Sequence, residues 1–162
     1  MNANIYETPE VDSIPEPAFR ELLALVGSET SVLQIGVPDP ATAEIIESHL
    51  GSRIAERVES ARAVAPAGAR TFDCIVFAQP LEGLKDPGME LEAARALLSA
   101  SGSVLAVAAN GTHASTRLAA LDRANASGAA ASDPLGAFSR YGIQELFERN
   151  GYVVTNWERQ TR

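Results

Sequence analysis

Few residues in this 162-residue chain are placed to do chemistry, and the most informative are five in a row, Gly36-Val37-Pro38-Asp39-Pro40. They overlap the end of the short apolar run Ser31–Val37 and precede a helical pattern, so they form the first strand-to-helix junction. A loop that cradles a nucleotide offers successive backbone N–H groups and uses glycine to let the backbone approach its ligand. Proline lacks the N–H and fixes φ. Pro38 and Pro40 therefore make this junction the wrong chemistry for such a loop. A tight turn with Asp39 as helix cap is the simpler reading. Two further groups could move protons. Glu82 lies in a loop after a buried strand and could act in acid–base work or hold a metal, although an exposed loop carboxylate is the commoner role. His113, after the third apolar run, is the only histidine near a strand end, and a lone histidine there is more often a capping or surface residue. His49 sits on a helix without partners in sequence and is given no role.

Composition narrows the field. The single cysteine, Cys74, excludes an internal disulfide and cannot build a metal site alone. It lies within Cys74-Ile75-Val76-Phe77-Ala78, the setting of a buried, unreactive thiol. No metal site is expected. Net charge is -8, and the twelve arginines and Lys85 form no basic stripe, so neither nucleic acid nor an anionic membrane is an expected partner. The start of the chain, MNANIYETPEVDSIPEP, has no basic segment and no apolar stretch of signal-peptide type, and no run reaches the roughly 20 residues of a bilayer span. A cytoplasmic location is expected.

The elements that must position these residues follow from periodicity. Residues 1–15 read as a flexible arm, and residues 16–162 as a single domain. Phe19, Leu22, Leu23 and Val26 recur at helical spacing until Gly27, and Ile45, Ile46 and Leu50 do so until Gly51. Phe72–Ala78 and Ser103–Ala109 are buried strands, separated by a helix that Asp86-Pro87 opens. His113–Ala124 reads as helix and Ala126–Asp133 as a small-residue loop. A helix then runs from Ser139 or Arg140 to Asn150, stopped by Gly151, and Tyr152–Trp157 is the last strand. Residues 52–64 are ambiguous. A strand would carry Glu56 and Arg57 into a sheet, which is costly in its interior, so a helix placing Ile54, Val58 and Ala61 on one face is favoured. Alternating strands and helices imply an α/β, Rossmann-like, doubly wound and mostly parallel sheet. Ligands of such sheets bind outside the carboxyl ends of the strands.

The ordered segments Val32-Leu33-Gln34-Ile35-Gly36, Phe72-Asp73-Cys74-Ile75-Val76-Phe77 and Leu81-Glu82-Gly83-Leu84-Lys85-Asp86-Pro87 resemble class I S-adenosylmethionine (SAM)-dependent methyltransferases of the small-molecule branch. Ser101-Gly102-Ser103-Val104-Leu105-Ala106-Val107, Asn110 and the closing stretch Phe138–Tyr152 extend the likeness, which covers the chain from about Phe19 onward. The resemblance implies SAM contacts at Gly36, at Gln34 in place of the family's strand-end acid, at Glu59 as the ribose-holding acid and at Gln79. It also implies substrate-side positions at Asp133 and Tyr141, where structural roles remain the default. The departures are consistent with one another. Of the glycines in the family's D-x-G-x-G-x-G only Gly36 remains, the next two being Pro38 and Pro40. In relatives with L-E-H-L after the fourth strand the histidine is the base, and here that position is Gly83. Thirteen residues from Glu59 to Thr71 leave little room for the family's third strand, and no further antiparallel strand is evident after Trp157. The fold is thus expected to be reduced relative to the full methyltransferase fold, with a sheet edge open to another chain.

Two functions from different classes follow. The first is a methyltransferase-like domain that has lost catalysis, has no cofactor and acts by binding a partner protein, a second copy or a small ligand. The alternative is an active SAM-dependent methyltransferase on a small molecule. A crevice holding a different nucleotide or sugar nucleotide is a third.

Overall fold

The computed structural model describes residues 1–8, 16–28, 30–64, 70–109 and 140–159. It contains strands β1 (Asn2–Thr8), β2 (Val32–Ile35), β3 (Ile54–Val58), β4 (Phe72–Phe77), β5 (Leu98–Ala109) and β6 (Val153–Arg159). The helices are α1 (Glu16–Ala24), α2 (Pro40–Leu50), α3 (Pro87–Leu97) and α4 (Arg140–Arg149). The strands form one six-stranded sheet in the order β3-β2-β4-β5-β1-β6, and every pair is parallel. The fold is therefore α/β, Rossmann-like and doubly wound. No described helix is long and apolar enough to cross a membrane.

Alternation along the strands divides the core. Val32, Cys74, Val76, Leu105 and Val107 face Phe19, Leu22 and Leu23 of α1 and Ile45, Ile46 and Leu50 of α2. On the opposite face Leu33, Ile35, Ile75, Phe77, Val104 and Ala106 pack with Leu91, Ala94 and Leu97 of α3 and Ile143 and Phe147 of α4. The local signals that end these helices act as their sequence predicts. Asp39 caps α2 and Asp86 caps α3, each with a proline in the first turn. Gly151, at φ +83°, closes α4 in a Schellman arrangement, with Tyr152 N donating to Phe147 O and Gly151 N to Glu148 O.

Two expectations fail. Asn2–Thr8 is not a flexible arm but an interior strand, paired with β5 on one side and β6 on the other, with Ala3 and Ile5 fully buried. Residues 9–15 lie outside the described set. Ile54–Val58 is a strand rather than a helix. The cost assigned to Glu56 and Arg57 is reduced rather than removed, because β3 is the sheet's edge while Glu56 Oε2 is buried without a hydrogen bond. There Arg57 pairs with Glu47 of α2, and Arg70 lies 3.0 Å from Glu56. The expected helix over 113–124 and loop over 126–133 fall outside the described residues.

Candidate functional site

The chain runs from β2 through α2 to β3 on one face and from β4 through α3 to β5 on the other, in opposite directions from the β2–β4 pair. The switch point is therefore at the carboxyl ends of β2 and β4, where Gly36–Pro40 meets Gln79–Leu84. Gly36 takes φ +96°, open to glycine and strained for other residues, and its N–H donates to Val58 O at 2.8 Å. Val37 N donates to Gln79 Oε1 at 3.3 Å. Pro38 and Pro40 have no N–H. Ala41 N and Thr42 N both donate to Asp39 Oδ1 at 3.0 Å, and the Thr42 hydroxyl donates to Asp39 Oδ2 at 2.6 Å. Ala43 N donates to Asp39 O. The donors of Gly36, Val37, Ala41, Thr42 and Ala43 are thus satisfied within the protein.

Gln79 occupies the crevice itself. A Cβ on Gly36 would lie 3.1 Å from Gln79 Cγ, and one on Gly83 would lie 3.5 Å from Gln79 Nε2. The side chain therefore lies between the two glycines and bridges the β2 and β4 loops. Asp39 sets the local charge. Burial is the largest single influence and raises its pKa, but the Thr42 hydroxyl and the Thr42 and Ala41 N–H groups together outweigh it and hold the carboxyl below the ordinary value of 3.8. A fixed carboxylate at the α2 N-terminus uses the helix dipole that would otherwise favour an anionic ligand.

A second tie closes the rim beside β3. Glu90, in the first turn of α3 and 8% exposed, accepts from Ala61 N at 2.7 Å and from the Ser60 hydroxyl at 2.5 Å. This holds the turn after β3 against α3, and Ala61 enters the same core as Ile35, Phe77 and Leu81. Sequence reasoning missed Glu90. The available signal was its position on the buried stripe of Leu91, Ala94 and Leu97, where an acid requires a partner.

The remaining sequence candidates disperse. Gln34 is buried on β2 and by alternation shares the α1–α2 face with Val32. Glu59 follows Val58 and is exposed. Gly36, Gln79 and Gly83 are brought together, but as a bridged loop rather than a vacancy. The backbone of Glu82 lies in the 3-10 turn Leu81–Gly83, and its side chain is outside the described set. His113, Asn110 and Asp133 lie outside the described residues. Tyr141 is 84% exposed on the first turn of α4. His49 Nδ1 lies 3.0 Å from Ile45 O and 3.0 Å from Ser48 Oγ. Burial pushes the Cys74 thiol up to about 12, as an unreactive core cysteine requires.

Among the described residues no group of three or more metal-ligating side chains forms. The cavities they line include a groove of about 310 Å³ bounded by Arg20, Ala41, Glu44, Ile45 and Ser48, and one of about 130 Å³ beside Glu21, Leu22, Leu25 and Asn156. Neither touches Gly36–Pro40 or Gln79–Leu84. Compared with protein-family models, curated proteins and solved structures, the chain gives no significant match.

Proposed function

We propose that this chain is a methyltransferase-like domain that has lost SAM-dependent catalysis and acts as a binding or interaction module. The observation that carries the reading is the internal use of the β2–α2 donors. Gly36 N–H is bound by Val58, Val37 N–H by Gln79, and the first N–H groups of α2 by Asp39. SAM would have to displace the Gln79 side chain and set its own carboxylate beside that of Asp39. Both steps cost free energy, and the two prolines offer no compensating donors. Methyl transfer depends on holding the sulfonium in line with the nucleophile, so weak positioning removes most of the rate advantage. The family's base position adds nothing, because Gly83 has no side chain.

Titration calorimetry of the purified chain with SAM and with S-adenosylhomocysteine tests this. No heat of binding is expected for either ligand up to millimolar concentration. A dissociation constant in the low micromolar range for either would overturn the proposal.

A further inference from the structure

The dipeptide Asn-Gly occurs at residues 110–111 and 150–151, and the second pair lies among the described residues, at the end of α4. Asn-Gly is the sequence in which an asparagine side chain most readily cyclises onto the backbone. The following glycine has no Cβ to hinder the approach of its nitrogen. We propose that Asn150 is a self-modification site: it loses ammonia at a rate set by the opening of the last turn of α4, and its product holds that turn less well. This inference does not depend on what the crevice binds.

The closed turn engages both reacting groups. Asn150 Nδ2 donates to Leu146 O at 2.8 Å, beside the longer 3.3 Å bond from Asn150 N to the same carbonyl. The nucleophile, Gly151 N, donates its proton to Glu148 O at 2.9 Å. Cyclisation requires that nitrogen to lose its proton and reach Asn150 Cγ, so both hydrogen bonds must break first. A terminal turn opens at far less cost than global unfolding. The open turn then reacts with water alone. Hydroxide removes the Gly151 N proton, and the nitrogen attacks Asn150 Cγ. The new N–Cγ bond forms, the Cγ–Nδ2 bond breaks, and the leaving amide takes up a proton from water to depart as ammonia. Water opens the resulting imide at either carbonyl, giving aspartate or isoaspartate. The net change is one water gained and one ammonia released.

The product meets a poorer setting than the asparagine did. A carboxylate at position 150 has no N–H to give Leu146 O, which keeps only its longer bond, and it adds negative charge at the negative end of the helix dipole. Isoaspartate also lengthens the backbone just before Gly151, where packing is close: a Cβ on Gly151 would lie 2.5 Å from Arg95 Cζ. The Arg95 guanidinium offsets part of the new charge, but Arg95 is exposed and such a pair is weak. The lost donor prevails, and the last turn of α4 opens more often after modification than before.

The test incubates the full-length protein at mildly alkaline pH, once folded and once in concentrated urea. Peptide mapping by mass spectrometry follows the amide-to-acid change at Asn150 separately from that at Asn110. Asn150 is expected to convert in both samples, severalfold more slowly in the folded one, to a mixture of aspartate and isoaspartate. In parallel, amide exchange is compared between the wild-type protein and Asn150→Asp, which carries one of the two products from the start. Exchange at Gly151 and Tyr152 is expected to be severalfold faster in the variant, with Ile75 in β4 unchanged. The proposal is overturned if Asn150 stays intact in the folded protein, if it converts equally fast in both samples, or if exchange at Gly151 and Tyr152 is the same in the two proteins.

Discussion

At the scale of single residues, the crevice is decided by Gly36, Gln79 and Asp39. Gly36→Ala would force a φ of +96° on a residue with a Cβ and bring that Cβ to 3.1 Å from Gln79 Cγ. A loss of about 1–3 kcal/mol is expected, read as a lower denaturant midpoint at unchanged m-value. Asp39 gives a pH signature whose sign is fixed. Its pKa is lower in the folded chain than the ordinary 3.8, so its stabilisation is present above 3.8 and is lost as pH falls through the lower folded value. Asp39→Asn keeps a capping oxygen without the charge. The stability difference between the two proteins should shrink steadily as thermal melts are taken to lower pH across that window, and a difference that grows on acidification would contradict the assignment. The unsuitability of Pro38 and Pro40 was legible in the sequence, since it follows from their covalent structure. The role of Gln79 was not. It depends on a contact with residues about forty positions earlier in the chain, and local pattern carries no information on that.

At the scale of elements, the helices and central strands were legible because their apolar residues recur with clear period. The two strands that were missed lack that contrast for different reasons. In β1 only Ala3 and Ile5 turn inward among its first four residues, and the asparagines beside them resemble an arm. In β3 the alternation is partly buried and exposed by turns, and its charged residues are tolerable only because the strand is an edge. Edge position is a property of topology, which a single segment does not state. Glu90 shows the same limit, for its partners Ser60 and Ala61 lie across the fold. Glu90→Ala would leave the Ala61 N–H and the Ser60 hydroxyl without their acceptor. A destabilisation of about 1–3 kcal/mol is expected from chemical denaturation. Amide exchange at Ala61 should accelerate more than exchange at Ile75 in β4.

At the scale of the whole molecule, the doubly wound architecture places a crevice at the β2–β4 switch point, and two side chains tie its described rim together. Gln79 bridges the loops after β2 and β4, while Glu90 draws the turn after β3 onto α3. The sheet also departs from the plan that the resemblance implies. No described strand is antiparallel, and the inner neighbour of β6 comes from the N-terminus. At the switch point the protein's own groups therefore take the backbone donors, and the proposed loss of SAM binding rests on that. The most direct test of that claim is an amide-resolved NMR titration of the labelled protein with SAM, following Gly36, Val37, Ala41 and Thr42. These four resonances are expected to stay in place up to millimolar SAM. Saturable shifts of the same amides at micromolar SAM would contradict it.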